Sequence, residues 1–138
     1  MNDVVLNKVQ NIQRCVMRAR EVYAAARESF RTDCICQDAA ILHVTRACEQ
    51  AIDLANHVIR MAKAGVPTDS AESFSLLVEA GIISRDLCGR LKKMIGFRNT
   101  VIHLYQSVDI GIVEAVITSS LDDLVAFTEA IMAWEEAQ

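Results

Sequence analysis

Residues 33–64 most constrain the fold. Ala40, Ile41, Val44, Ala47, Cys48, Ala51, Leu54, Ala55, Val58 and Ile59 recur at spacings of one, three and four, with polar residues between them. At about 100° per residue they fall on one stripe, the mark of an amphipathic helix rather than a strand. The stripe is rich in alanine, so a neighbouring helix can approach its backbone closely. Asp33 is placed to cap this helix and Gly65-Val66-Pro67 to stop it near Ala64.

The same period recurs along the chain. Asn2 or Asp3 can cap a first helix to about Arg27, carrying Val5, Val9, Ile12, Val16, Ala19 and Tyr23, and Glu28 to Thr32 reads as a polar break. A short third helix starts at Asp69 or Ser70 and runs to Ala80, with Gly81 suited to the left-handed position after it. Ser84 can cap a fourth to about Gln106. Asp109 can cap a fifth to about Glu136, with Ile112, Val116, Leu121, Leu124, Val125, Phe127, Ile131 and Trp134 on its apolar side. Only one proline, Pro67, occurs in 138 residues, and alternating runs of β-branched residues are scarce. The expected fold is all-α: an antiparallel bundle of four longer helices and one short one, in a single domain spanning residues 1–138.

The fourth helix holds the chemistry. Arg98-Asn99-Thr100-Val101-Ile102-His103-Leu104-Tyr105 clusters a cation, an amide, an imidazole and a phenol inside an apolar segment. Taking Arg98 as the zero direction, Leu87, Leu91, Met94, Ile95, Phe97, Val101, Ile102 and Leu104 spread over a broad arc on both sides, with Arg98 and Tyr105 in its middle. His103 and Asn99 share a neighbouring stripe with Lys92 and Gly96. A guanidinium on a core-facing arc must be paired or must line a cleft, because burying it alone costs several kcal/mol.

Charge points the same way. The chain carries a net −4, which excludes a general polycation, yet residues 84–106 hold Arg85, Arg90, Lys92, Lys93 and Arg98 against Asp86 alone. A basic helix on an acidic body binds anions locally. Lys92 and Lys93 are the candidates for holding an RNA backbone. Arg98 can grip a phosphate through two parallel hydrogen bonds, and His103 can take a proton from a ribose 2′-hydroxyl or give one to a leaving oxygen. Asn99 can hold the imidazole or the phosphate. Together these suffice for RNA cleavage without a metal. One helix offers one histidine, so a symmetric dimer with the site at its seam is expected, Gly96 allowing the close approach.

On the second helix Arg46, Glu49, Asp53, Asn56 and His57 lie on or near the core side. Arg46 and Asp53 read as solvated surface, whereas Glu49 can orient Arg98 or His103. Cys15, Cys34, Cys36, Cys48 and Cys88 are odd in number and scattered, which reads as buried small hydrophobes and not as a metal or disulfide framework. Cys34-Ile35-Cys36 has the wrong spacing for a zinc knuckle. Met1 to Gln10 has no cationic start followed by an apolar run, and no run is long enough for a membrane span, so a cytoplasmic location is expected.

The segment Arg98 to Tyr105 resembles the Arg-x(4–6)-His-x-Tyr signature of the HEPN superfamily, and of HepT-like toxins from prokaryotic toxin–antitoxin pairs in particular. The run Leu91-Lys92-Lys93-Met94-Ile95-Gly96-Phe97, the stretch Cys48 to His57, Gly65-Val66-Pro67 and Ser73-Phe74 are also similar to that family, over nearly the whole chain. The resemblance implies a ribonuclease toxin with Arg98 and His103 catalytic and tRNA among its substrates. It also implies an MntA-like nucleotidyltransferase antitoxin that neutralises it by adenylylating Tyr105, and no cofactor. The alternative is a non-catalytic helical module that binds a nucleotide phosphate through Arg98 and His103 and regulates a nucleotidyltransferase.

Overall fold

The computed structural model describes residues 2–104 and 108–138, the side chain of Leu104 excepted, so Tyr105 lies outside the described residues. Helix α1 spans Asp3–Ala26 and α2 Cys34–Ala62, with a 3₁₀ turn at Arg27–Arg31 between them. Helix α3 spans Ser70–Glu79 and α4 Arg85–Leu104. The last helical run is α5 at Ile110–Ala115, a π turn at Val116–Ser120 and α6 at Leu121–Glu136.

The starts of these helices are set locally. Asn2 Oδ1 accepts from the amides of Val4 and Val5, Asp33 from Cys36, Asp69 from Glu72, Ser84 Oγ from Leu87 and Asp109 from Gly111. Each side chain satisfies a first-turn amide that the helix itself leaves unpaired. All five expected caps are therefore in place.

The ends needed more than local chemistry. Helix α2 stops at Ala62, and its left-handed terminal residue is Lys63, with φ 53°, rather than the glycine two positions on. Gly65 takes φ 125° in the following turn, and Gly81 takes φ 75° after α3 as its position suggested. The expected polar break at Glu28 to Thr32 is instead wound into the 3₁₀ turn around a fully buried Phe30, whose ring meets Tyr23 edge-on at a centroid distance of 4.9 Å.

Helices α1 and α2 pack against each other as an antiparallel hairpin, and α3, α4 and α6 close the bundle around them. All ten apolar residues singled out on α2 are buried, as are Val5, Val9, Ile12, Val16 and Ala19 on α1. The alanines of α2 are sealed in the seam. Phe74 and Phe127 meet edge-on at 5.4 Å and join α3 to α6. One hydrophobic cluster runs through every one of these helices.

The fifth helix departs from expectation at the π turn. Around it Val113, Val116 and Ile117 are buried, while Ile112 is left 55% exposed and Val125 and Trp134 are half-buried. The cysteines also divide. Cys48 and Cys88 are buried as expected, but Cys15 and Cys36 are half-buried and Cys34 is exposed, all as free thiols. Among the described residues no helix is long and apolar enough to cross a membrane, and no group of three His, Cys, Asp or Glu could hold a metal.

Candidate active site

Helix α4 is anchored by Leu87, Leu91, Met94, Ile95 and Val101, all buried, so its rotation about its own axis is determined by packing. That rotation sets where every polar residue of the motif points. Cys48 of α2 helps hold the position, its Sγ lying 3.9 Å from the Met94 carbonyl oxygen; burial pushes this thiol up to about 12, so it stays protonated and acts as packing. Ile102, expected in the apolar arc, is 51% exposed at the edge of the α2–α4 seam.

Arg98 faces α2. Its guanidinium Nη2 lies 3.7 Å from Glu49 Oε1, and Nη1 donates to Asn99 Oδ1 at 3.1 Å. Its Nε is buried with no hydrogen-bond partner. The side chain is 27% exposed and that of Glu49 45% exposed, so water screens the pair and the ion contact itself contributes little stability. It does aim the guanidinium. Each outer nitrogen carries two N–H donors, and only one of the four makes a hydrogen bond here, so the partly exposed end of the guanidinium keeps donors that can receive an oxyanion.

His103 stands elsewhere on the helix. It is exposed in the last turn of α4, roughly 140° around the axis and about 7.5 Å along it from Arg98. No hydrogen bond or ion pair joins the two side chains. Asn99, exposed one turn before His103, connects the faces, since it contacts Arg98 while lying on the His103 stripe. Gly96 continues that stripe, and a Cβ there would meet nothing within 4 Å. Lys92 and Lys93 are exposed on the same outer side.

The sequence-predicted set thus divides. Glu49, Arg98 and Asn99 come together, His103 lies on the adjacent outer face with Lys92 and Lys93 below it, and Tyr105 is outside the described residues. Of the two roles open to Glu49, the structure places it at Arg98 and not at His103. The rest of the α2 polar set goes elsewhere: Asp53 pairs with Lys8, and Asn56 Oδ1 accepts from the buried Ser73 Oγ at 2.6 Å.

Comparison with known proteins identifies the family and the fold. The family model for ribonuclease HepT-like proteins matches residues 12–131. The chain is 40% identical over 133 residues to the mRNA nuclease HepT of Shewanella oneidensis, covering 96% of this chain and 99% of that one. It superposes with a TM-score of 0.90, at 40% identity and over 96% and 99% of the two chains, on the tri-AMPylated Shewanella oneidensis HEPN toxin solved in complex with MNT antitoxin. A toxin–antitoxin complex solved with AMP-PNP matches at a TM-score of 0.90 and 39% identity, over 96% of this chain and 99% of that one. The Bacillus subtilis cytosolic protein YutE, of unknown function, shares the fold at a TM-score of 0.74 and 19% identity, over 93% and 90% of the two chains. A family model spanning most of the chain, a full-length relative and bundles that superpose throughout lead to one conclusion: this chain belongs to the ribonuclease HepT-like family.

Proposed function

We propose that this chain is a cytoplasmic ribonuclease toxin that works as one domain over residues 1–138 and is neutralised by an MntA-like nucleotidyltransferase antitoxin through AMPylation of Tyr105. The observation that carries the reading is the state of Arg98, half-buried and aimed by Glu49 and Asn99 with its Nε unpaired, on the helix that also presents an exposed His103.

His103 removes the proton from a ribose 2′-hydroxyl, the 2′-oxygen attacks the neighbouring phosphorus, and the 5′-oxygen leaves with a proton from a second acid. Arg98 stabilises the charge that builds on the phosphoryl oxygens. No metal is needed for that sequence. Because one copy directs Arg98 and His103 to different faces, the site is completed in a homodimer, in which a second copy supplies the facing group. Lys92 and Lys93 hold the RNA backbone. Inactivation follows when the Tyr105 hydroxyl attacks the α-phosphate of ATP and pyrophosphate leaves. Each transferred group adds bulk and negative charge beside the motif and excludes a polyanion.

The test uses purified protein shown by intact mass to be unmodified at Tyr105, incubated with a defined mRNA and a tRNA in excess EDTA. Cleavage is expected, at a rate unchanged by the chelator, and it is expected to stop once an MntA-like enzyme and ATP have added AMP. The shared assay decides between mRNA, for which the Shewanella relative is named, and tRNA. Intact RNA in every reaction overturns the nuclease reading and leaves the nucleotide-binding module.

Glu49 gives a narrower test. As an exposed partner, its replacement in Glu49→Ala is expected to change stability by less than about 0.5 kcal/mol. Loss of the aimed guanidinium is expected to lower cleavage about tenfold, mainly in kcat. Unchanged cleavage with an unchanged melting temperature would make Glu49 ordinary surface.

A further inference from the structure

A second feature lies beside the motif, with the π turn along one wall. Between α4 and the α5–α6 run lies a groove of about 330 Å³ whose walls include Arg90, Lys93 and Phe97 from α4 and Ile112 and Ser120 from the opposite side. Its chemistry is mixed in a specific way. Phe97 is only half-buried although it sits in a well-packed helix, and Ile112 faces it from a position 55% exposed. Arg90 is tied through Nε to Asp123 Oδ1 at 2.8 Å, which offsets its charge, while Lys93 is exposed. The groove therefore joins one aromatic face, one aliphatic wall and one uncommitted cation. A π turn in place of regular helix along one wall is a departure that recurs at functional sites.

The groove is also continuous with the motif. Around α4 the order from His103 is Gly96, Thr100, Lys93 and then Phe97, each step within about 60° of the last. His103, Gly96, Thr100 and Lys93 are all exposed, and glycine leaves the path between them low. Phe97 lies about 9 Å along the axis from His103. On α4 these described residues form one continuous exposed strip from His103 to the groove, along which a strand of nucleic acid can run.

We infer that this groove is a nucleotide subsite for RNA, in which a base flanking the cleaved position lies against Phe97 and Ile112 and its phosphate is held by Lys93. Stacking on an aromatic face is tolerant of base identity, and a single cation per phosphate adds affinity without sequence preference. The subsite rests on the ribonuclease reading and deepens it, because it sets the strand's direction of approach across α4.

The experiment measures binding of a fluorescein-labelled single-stranded oligoribonucleotide by anisotropy, in a His103→Ala background so that the RNA stays intact. Phe97→Leu is expected to weaken binding roughly tenfold with an unchanged salt dependence, and Phe97→Trp to restore it. Lys93→Ala is expected to reduce the salt slope by about one phosphate. Ile112→Glu, an exposed position where folding is not at stake, is expected to weaken binding at least as much as Phe97→Leu. An oligonucleotide carrying 5-iodouracil is expected to crosslink to Phe97 on irradiation. If the folded variants all bind like the parent and no crosslink forms at Phe97, the subsite is wrong. Cleavage by the parent protein is scored separately: cutting without any contribution from the groove sinks the subsite alone, and groove binding without cutting sinks the nuclease reading.

Discussion

Replacing His103 by alanine is expected to lower the rate of RNA cleavage by about 10²–10⁴-fold while leaving the fold in place. The two effects separate because His103 is exposed and outside the core of α4. Its structural contribution is confined to an exposed position in the last helical turn. Removing it costs no buried contact. Single-turnover cleavage with protein in excess reads the chemical step directly, and far-ultraviolet dichroism with a thermal melt reports the fold. His103→Gln is the sharper companion, since glutamine keeps hydrogen-bonding capacity at the site but cannot move a proton near neutral pH. It is expected to be as inactive as alanine. A glutamine variant that retained most of the activity would reassign His103 to binding, and the proton transfer would then belong to another group.

The second large effect falls on stability. Phe127→Ala is expected to destabilise the protein by about 3–5 kcal/mol, a large share of the roughly 5–15 kcal/mol typical of a domain. Phe127 is fully buried on α6, and Phe74 of α3, itself 1% exposed, packs edge-on against it with an interplanar angle of 71°. Truncation removes the transfer free energy of the ring and leaves a cavity at a fully buried position between α6 and Phe74 of α3. It also removes the edge-to-face contact, about 0.5–1.5 kcal/mol beyond area burial. Phe127→Leu keeps most of the volume and is expected to cost less than half as much. Urea titration followed by dichroism measures both. A cost under about 1 kcal/mol for the alanine variant would mean that α6 is not held through this contact. Such variants also guard the functional tests, because an inactive protein that has lost Phe127 has lost its fold and not its chemistry.

How much was legible beforehand follows from the range of the forces involved. The five caps could be read because a cap is a contract between a side chain and an amide two or three residues away. The buried stripe of α2 could be read because each alanine or valine repeats at the helical period and all must point one way. The motif on α4 could be read for its residue types and their spacing. The same chain alone did not show that Lys63 would take the left-handed end of α2, since Gly65 has the better intrinsic preference and only the packing of the following turn decides against it. Nor did it show the π turn, because the apolar spacing there also fits a regular helix, on which Val116 and the buried Phe127, eleven residues apart, differ by only about 20°.

The candidate site divides along the same line. Sequence by itself determined that Arg98, Asn99 and His103 share one helix, that Lys92 lies on the His103 stripe, and that a carboxylate on α2 was available as a partner. Tertiary structure decided which carboxylate and which partner: Glu49 meets Arg98 at 3.7 Å while Asp53 is drawn to Lys8. It decided too that Phe97 would be left half-open beside Lys93 rather than sealed in the apolar arc. The reason is physical. Helical spacing specifies direction about a single axis, whereas pairing and exposure depend on how two or three axes pack, and that depends on contacts between residues far apart in the chain.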